Sequence, residues 1–458
     1  MSDRLLSVGL DVGTTSTQMV VSAITVENRA SGFAVPEMAI TDRQILYKSP
    51  VHFTPLRSHA LVDGEGLLKL VEQEYRNAGI TRQQVDTGAV IITGETSRKE
   101  NAGTVLQALS GIAGEFVVAT AGPDLESILA AKGAGAVDFS AQSGKTVLHM
   151  DIGGGTSNLA LIRDGQVVRT GCLNVGGRLL KFDAQGKITY KSPVLEGICP
   201  VSVGQTPAKE QTGQLAKRLC QALESAAGLC REDAAAAFYT KEVQSRWIPP
   251  EETVVLSFSG GVAECIEHPY PPREFGDLGP ELGAAIRQSS LCAQPYRIGT
   301  DAIRATVIGA GCHSTQLSGS TVFCKDVRLP KKNLPVLCFT RQEQQSEELS
   351  KLICAKLAAR DEGETVLAFP GSEAPEYAQV TALAQRIVRG VGDRPVYVCL
   401  EGDMAKALGQ CIRLLLPDRP CLCLDRLKFG PESYLDVAAP VGPCYPVVVK
   451  TLVLSSQS

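Results

Sequence analysis

One short motif occurs twice in this chain, and the repeat restricts the folds open to it. Asp11-Val12-Gly13-Thr14-Thr15-Ser16-Thr17 follows the run Ser7-Val8-Gly9-Leu10 and precedes Met19-Val20-Val21. Asp151-Ile152-Gly153-Gly154-Gly155-Thr156-Ser157 follows Val147-Leu148-His149-Met150 and precedes Leu159-Ala160-Leu161-Ile162. Each reads as strand, aspartate, glycine-and-hydroxyl turn, strand. Such hairpin tips offer backbone N–H groups and hydroxyls to an anion. The leading aspartate stands where it can hold a metal ion that bridges phosphates. Taken singly, the first turn could be an ordinary Asx-type turn. Three consecutive glycines in the second weaken a hairpin unless backbone must approach something closely. Two such hairpins in order predict a nucleotide clamped between two related domains.

Two further turns follow buried-looking strands. Ala89-Val90-Ile91-Ile92 ends in Thr93-Gly94-Glu95-Thr96, ahead of a helix expected over about 98–109. Glu95 could orient an attacking water or complete a metal shell; it could equally cap the helix. Thr253-Val254-Val255-Leu256-Ser257-Phe258 runs into Ser259-Gly260-Gly261-Val262-Ala263-Glu264. Glycines there let a base or ribose lie against the backbone, although alone they read as a tight strand-to-helix turn. Two look-alikes compete. Gly144-Lys145-Thr146 has the end of a phosphate-binding P-loop, but Phe139 stands where that loop needs its first glycine. Leu400-Glu401-Gly402-Asp403-Met404-Ala405-Lys406 also leaves a strand and opens a helix, with one glycine instead of two.

The 458 residues suggest two to four domains. Strand and helix patterns alternate throughout, so the class is α/β. The division expected is 1–143 and 144–319, each built on one hairpin, with a further α/β unit over 320–458. In that last unit Val336–Phe339, Val366–Phe369 and Val396–Cys399 alternate with helical runs at 346–359, 375–389 and 403–415. The net charge of −4 argues against a nucleic-acid surface. The 15 cysteines form no C-x-x-C pair, which fits buried free thiols in a reducing cytosol. No run of about 18 uncharged apolar residues is present, so no membrane insertion is expected. Asp3, Arg4 and Asp11 bracket too short an apolar run for a signal peptide, and the expected location is cytoplasmic. The five histidines show no metal-ligand spacing. Gly-x-Ser-x-Gly is absent, as is Asp-x-His-x-x-Gly, the usual signature for binding a cobalamin base.

In order, Asp11–Thr17, Thr93–Glu95, Asp151–Ser157 and Ser259–Glu264 resemble the phosphate-1, connect-1, phosphate-2 and adenosine segments of the actin, sugar-kinase and heat-shock-chaperone ATPase superfamily. A connect-2 segment should follow, at Leu282-Gly283-Ala284-Ala285 or at Val307-Ile308-Gly309-Ala310-Gly311. Within that superfamily, Ile92–Ala102, Phe275–Gly279, Arg304–Gly311 and the tail Pro446–Leu454 resemble the ethanolamine ammonia-lyase reactivating factors over nearly the whole chain. The resemblance implies two ribonuclease-H-like domains around an ATP cleft. It implies a chaperone with weak ATPase activity that uses ATP and Mg²⁺ to release damaged cobalamin from the lyase, so that adenosylcobalamin can enter. By the same resemblance Asp11 and Asp151 position Mg²⁺. Gly13, Thr14, Thr15, Gly153, Gly154, Gly155 and Thr156 cradle phosphates, and Ser259, Gly260 and Gly261 flank the adenosine. Glu95 is the candidate for activating water. Association with a bacterial microcompartment is a family-level expectation. A small-molecule kinase and a non-hydrolysing actin-like scaffold are the rival functions; no sugar-kinase substrate motif is present.

Overall fold

The protein is described from a computed structural model. It covers residues 3–13, 16–28, 38–58, 61–93, 117–120, 123–230, 233–240, 247–251, 253–299, 301–313, 316–318, 321–358, 363–372, 375–429, 433–440 and 444–451. Thr14, Thr15 and Glu95, the helix expected over 98–109, and 452–454 of the last strand lie outside the described residues.

Two sheets repeat one pattern. The first holds β1 (Asp3–Val12), β2 (Ser16–Asn28), β3 (Met38–Lys48), β4 (Thr87–Ile92) and β5 (Val117–Thr120) in the order β3-β2-β1-β4-β5. The second holds β6 (Val147–Ile152), β7 (Ser157–Arg163), β8 (Gln166–Leu173), β9 (Val255–Ser259) and β10 (Tyr296–Ile298) in the order β8-β7-β6-β9-β10. In each, an antiparallel hairpin is extended by two parallel strands. That is the ribonuclease-H-like arrangement. All six residues of β4 and of β6 are buried. These central parallel strands are covered on both faces, so apolar residues fill both faces in place of alternation, with His149 and Asp151 the polar exceptions in β6.

The helices are α1 (Gly64–Asn77), α2 (Pro123–Gly133), α3 (Ala136–Ser143), α4 (Lys209–Ala226), α5 (Gly261–Glu267), α6 (Gly279–Arg287) and α7 (Ala305–His313). Here the two halves exchange parts. Helix α2 follows β5 of the first sheet yet packs on β6, β7 and β8 of the second. Helix α7 follows β10 of the second sheet yet packs on β1, β2 and β4 of the first. The two cross in contact. A Cβ on Gly133 would lie 1.8 Å from the Ala305 carbonyl oxygen, and one on Gly309 would lie 2.0 Å from that of Leu129. Only glycine lets the backbones come this close.

The C-terminal part forms an eight-stranded sheet. Lys331–Cys338, Val366–Phe369, Val396–Leu400 and Cys421–Leu424 run parallel at its centre. Helices Leu349–Ala358, Tyr377–Val391 and Ala405–Leu415 alternate with these strands, and their apolar residues form one core with the sheet. The strand patterns expected at 336–339, 366–369 and 396–399 are therefore present, the first extending back to residue 331. The last strand, Pro446–Thr451, places Val448 among Ala89, Ile91, Leu129 and Ala310, beside the helix crossing.

Candidate functional site

Both aspartate hairpins fold alike. In the first, the Gly13 N–H donates to the Ser16 carbonyl at 2.9 Å; in the second, the Gly153 N–H donates to the Thr156 carbonyl at 2.9 Å. Each aspartate stands near the end of its sheet's central strand and is held by a hydroxyl from the neighbouring parallel strand. The Thr93 hydroxyl, just past β4, donates to Asp11 Oδ1 at 2.8 Å. The Ser259 hydroxyl, at the end of β9, donates to Asp151 Oδ1 at 2.5 Å. Thr306, at the start of α7, donates to Asp151 Oδ2 at 3.4 Å. The crossing helix α7 thus brings the Val307–Gly311 segment, and not Leu282–Ala285 on α6, to the junction of the two sheets. Thr54 fastens the first tip by donating to the Gly13 carbonyl at 2.8 Å.

The electrostatics follow from burial. Burial pushes the Asp11 carboxyl up to about 7; the Thr93 hydrogen bond opposes the rise and the charge of Asp151 adds to it. Asp151 is also raised by burial, against hydrogen bonds from Ser259 and Thr306. Among the described residues no cationic side chain figures in either balance. A half-buried acid facing the charge of a buried one, with no cation in either balance, suits a divalent cation. Mg²⁺ commonly takes only one or two protein carboxylates and completes its shell with water and phosphate oxygens. The donor set therefore fits Mg²⁺ bound with a nucleotide, although the described residues hold no cluster of three metal-ligating side chains.

The second tip leaves room for a ligand. A side chain at Gly155 would meet nothing within 4 Å. Gly154 instead lies against the Arg178 stem, whose Nε donates to the buried Asp277 at 3.1 Å. Backbone N–H groups of Gly177 and Arg178 donate to the carbonyls of Gly153 and Gly154 at 3.0 and 2.6 Å. Gly260 has φ +88°, and a Cβ there would lie 2.3 Å from the Ile152 carbonyl oxygen, so this turn admits only glycine. The structure thus gathers Asp11, Gly13, Asp151, Ser259 and Gly260 near the two strand ends. Ser259 is fully buried, and its hydroxyl serves Asp151. Sequence reasoning gave no role to Thr93, Thr306 or Arg178. The Gly176-Gly177 pair, placed like the glycines of the other turns, was the available signal for Arg178.

Twin ribonuclease-H-like sheets, each with an aspartate hairpin, joined through two crossing helices, define an actin-type ATPase fold. The sequence places the chain more narrowly. The family model for "Ethanolamine utilisation protein EutA" matches residues 3–455, and the chain belongs to that family. It is 38% identical to the ethanolamine ammonia-lyase reactivase EutA of Salmonella typhimurium strain LT2, over 99% of both chains. It is 37% identical to the protein of the same name from Escherichia coli K12, again over 99% of both. Among solved structures it is similar to an Aquifex aeolicus Ppx/GppA family member, at 14% identity and a TM-score of 0.37, over 59% of this chain and 73% of the other. That likeness is too slight to argue from. No helix among the described residues is long and apolar enough to cross a membrane.

Proposed function

We propose that this protein reactivates ethanolamine ammonia-lyase, using ATP to promote release of damaged cobalamin so that intact adenosylcobalamin can bind. One observation carries the reading: a pair of hydroxyl-held aspartates with raised pKa lies within a chain that aligns end to end with two proteins named as reactivases of that lyase. In this reading Asp11 and Asp151 would hold Mg²⁺, which would offset the charge of the phosphates. The backbone at Gly13 and over Gly153–Thr156 cradles the phosphates, with Thr14 and Thr15. Gly260 and Gly261 flank the adenosine, and Glu95 orients the attacking water. Because ATP touches both hairpins, it binds the closed cleft better than the open one and shifts the population accordingly. If the lyase also distinguishes the two states, ATP and lyase binding are reciprocally coupled. The protein then works wherever its lyase resides, in the cytoplasm or with a bacterial microcompartment.

The test uses lyase loaded with cyanocobalamin, given this protein, Mg-ATP and fresh adenosylcobalamin. Recovery of lyase activity is expected with ATP and not without it. Asp11→Asn or Asp151→Asn should lower the recovery rate at least about 100-fold, in proportion to a lost metal-holding group. Full recovery by either folded variant would sink the site assignment. Failure to reactivate, with ATP consumed only when an alcohol or sugar is added, would make the protein a kinase.

A further inference from the structure

Behind Asp151 stand three buried polar side chains, His149, Ser257 and Ser259, and only the Ser259 hydroxyl has a part in the function proposed above. His149 lies two residues before Asp151 on β6, so both side chains leave the same face of the strand. On the neighbouring parallel strand β9, Ser257 is in register with His149 and Ser259 with Asp151. His149 is 0% exposed. Its ring bridges the two hydroxyls, with Nδ1 3.1 Å from Ser257 Oγ and Nε2 2.9 Å from Ser259 Oγ.

The direction of the chain follows from its end. An ionised carboxylate only accepts, so the Ser259 hydroxyl donates to Asp151. The Ser259 oxygen then accepts from His149 Nε2–H, which leaves Nδ1 to accept from the Ser257 hydroxyl. These roles are assigned from the network. An aliphatic side chain here would avoid the desolvation that a buried imidazole costs. The neighbours on β6, Leu148 and Met150, are apolar and fully buried.

We propose that His149 is a positioning residue: through Ser259 it fixes the rotamer of Asp151 and ties that carboxylate to the strand carrying the Gly260–Gly261 turn. The inference rests on the Mg-nucleotide reading of the site. It makes the phosphate side and the adenosine side of the cleft one rigid frame. Outer-shell partners of this kind typically change metal affinity 10- to 100-fold.

The experiment titrates Mg-ADP, and ADP in EDTA, into wild type, His149→Leu, His149→Gln and Ser257→Ala by calorimetry. Mn²⁺-ADP spectra report the metal environment directly. His149→Leu should weaken Mg-ADP about tenfold and leave metal-free ADP unchanged. His149→Gln, whose amide N–H falls near the Nε2 position, should restore most of the affinity. Ser257→Ala should give a smaller loss in the same direction. Equal losses in the Leu and Gln variants, or no loss in the Leu variant, overturn the relay. If His149→Leu does not fold, Ser259→Ala takes its place, and unchanged Mg-ADP affinity there overturns it. Wild type that binds no Mg-nucleotide removes the underlying reading and the relay with it; wild type that binds normally beside unshifted variants removes the relay alone.

Discussion

Asp11 keeps its proton to about pH 7 because it is half-buried and faces the charge of Asp151, with Thr93 only partly offsetting both. An unfolded aspartate releases its proton near pH 4. The raised value therefore stabilises the ligand-free protein fully below about pH 4, and that contribution is lost as the pH rises through about 7. A metal takes the ionised form and displaces the proton. Mg-ATP affinity should accordingly climb from pH 5.5 to about 7 and then level off, with proton release on binding at the lower pH. Calorimetry in buffers of different ionisation enthalpy reads both, and an affinity flat across that range would contradict the assignment. The two aspartates were legible in the sequence because strand, acid and glycine turn are contiguous. Their hydroxyl partners were not. Thr93 and Ser259 lay inside recognised motifs, but which atom each side chain serves depends on strand register. Thr306 reaches Asp151 only because α7 crosses to the other sheet.

The α2–α7 crossing depends on two glycines, and a side chain at either would strike a backbone carbonyl. Gly309→Val should cost about 1–3 kcal/mol or more by overpacking and lower the melting temperature. Gly155→Ala, whose Cβ enters open space, should melt like wild type and yet bind ATP more weakly. Differential scanning calorimetry and a nucleotide titration separate the two. If Gly155→Ala bound ATP as wild type does, that tip would not be a phosphate cradle. The central strands were plain in the sequence as mainly apolar runs that end in a turn motif. Helix α7 was not, since Ala-Thr-Val-Ile-Gly-Ala-Gly-Cys-His is apolar on nearly every side and carries two glycines. It is buried between a sheet and another helix, so it has no polar face to set a period. The P-loop look-alike is excluded at this scale. Gly144 ends helix α3 in a left-handed conformation and leads into strand β6, whereas a P-loop leads from strand to helix.

Across the whole molecule, the repeat of one hairpin foretold the repeat of one sheet, and the expected α/β sheet with alternating helices after residue 320 is present. What the sequence did not disclose is how the parts are fastened, because that depends on which surface each helix covers. The last strand seals the helix crossing through Val448. Each sheet is also covered by a helix that the other half of the chain supplies. This exchange has a mechanical consequence. The halves resemble scissor blades held by a rivet at Gly133 and Gly309, unable to part without baring both apolar faces. Spin labels placed on either side of the rivet should keep one distance with and without Mg-ATP, while labels near the two hairpin tips should draw together. If both distances changed equally, the motion would be sliding, and the rivet would be no pivot.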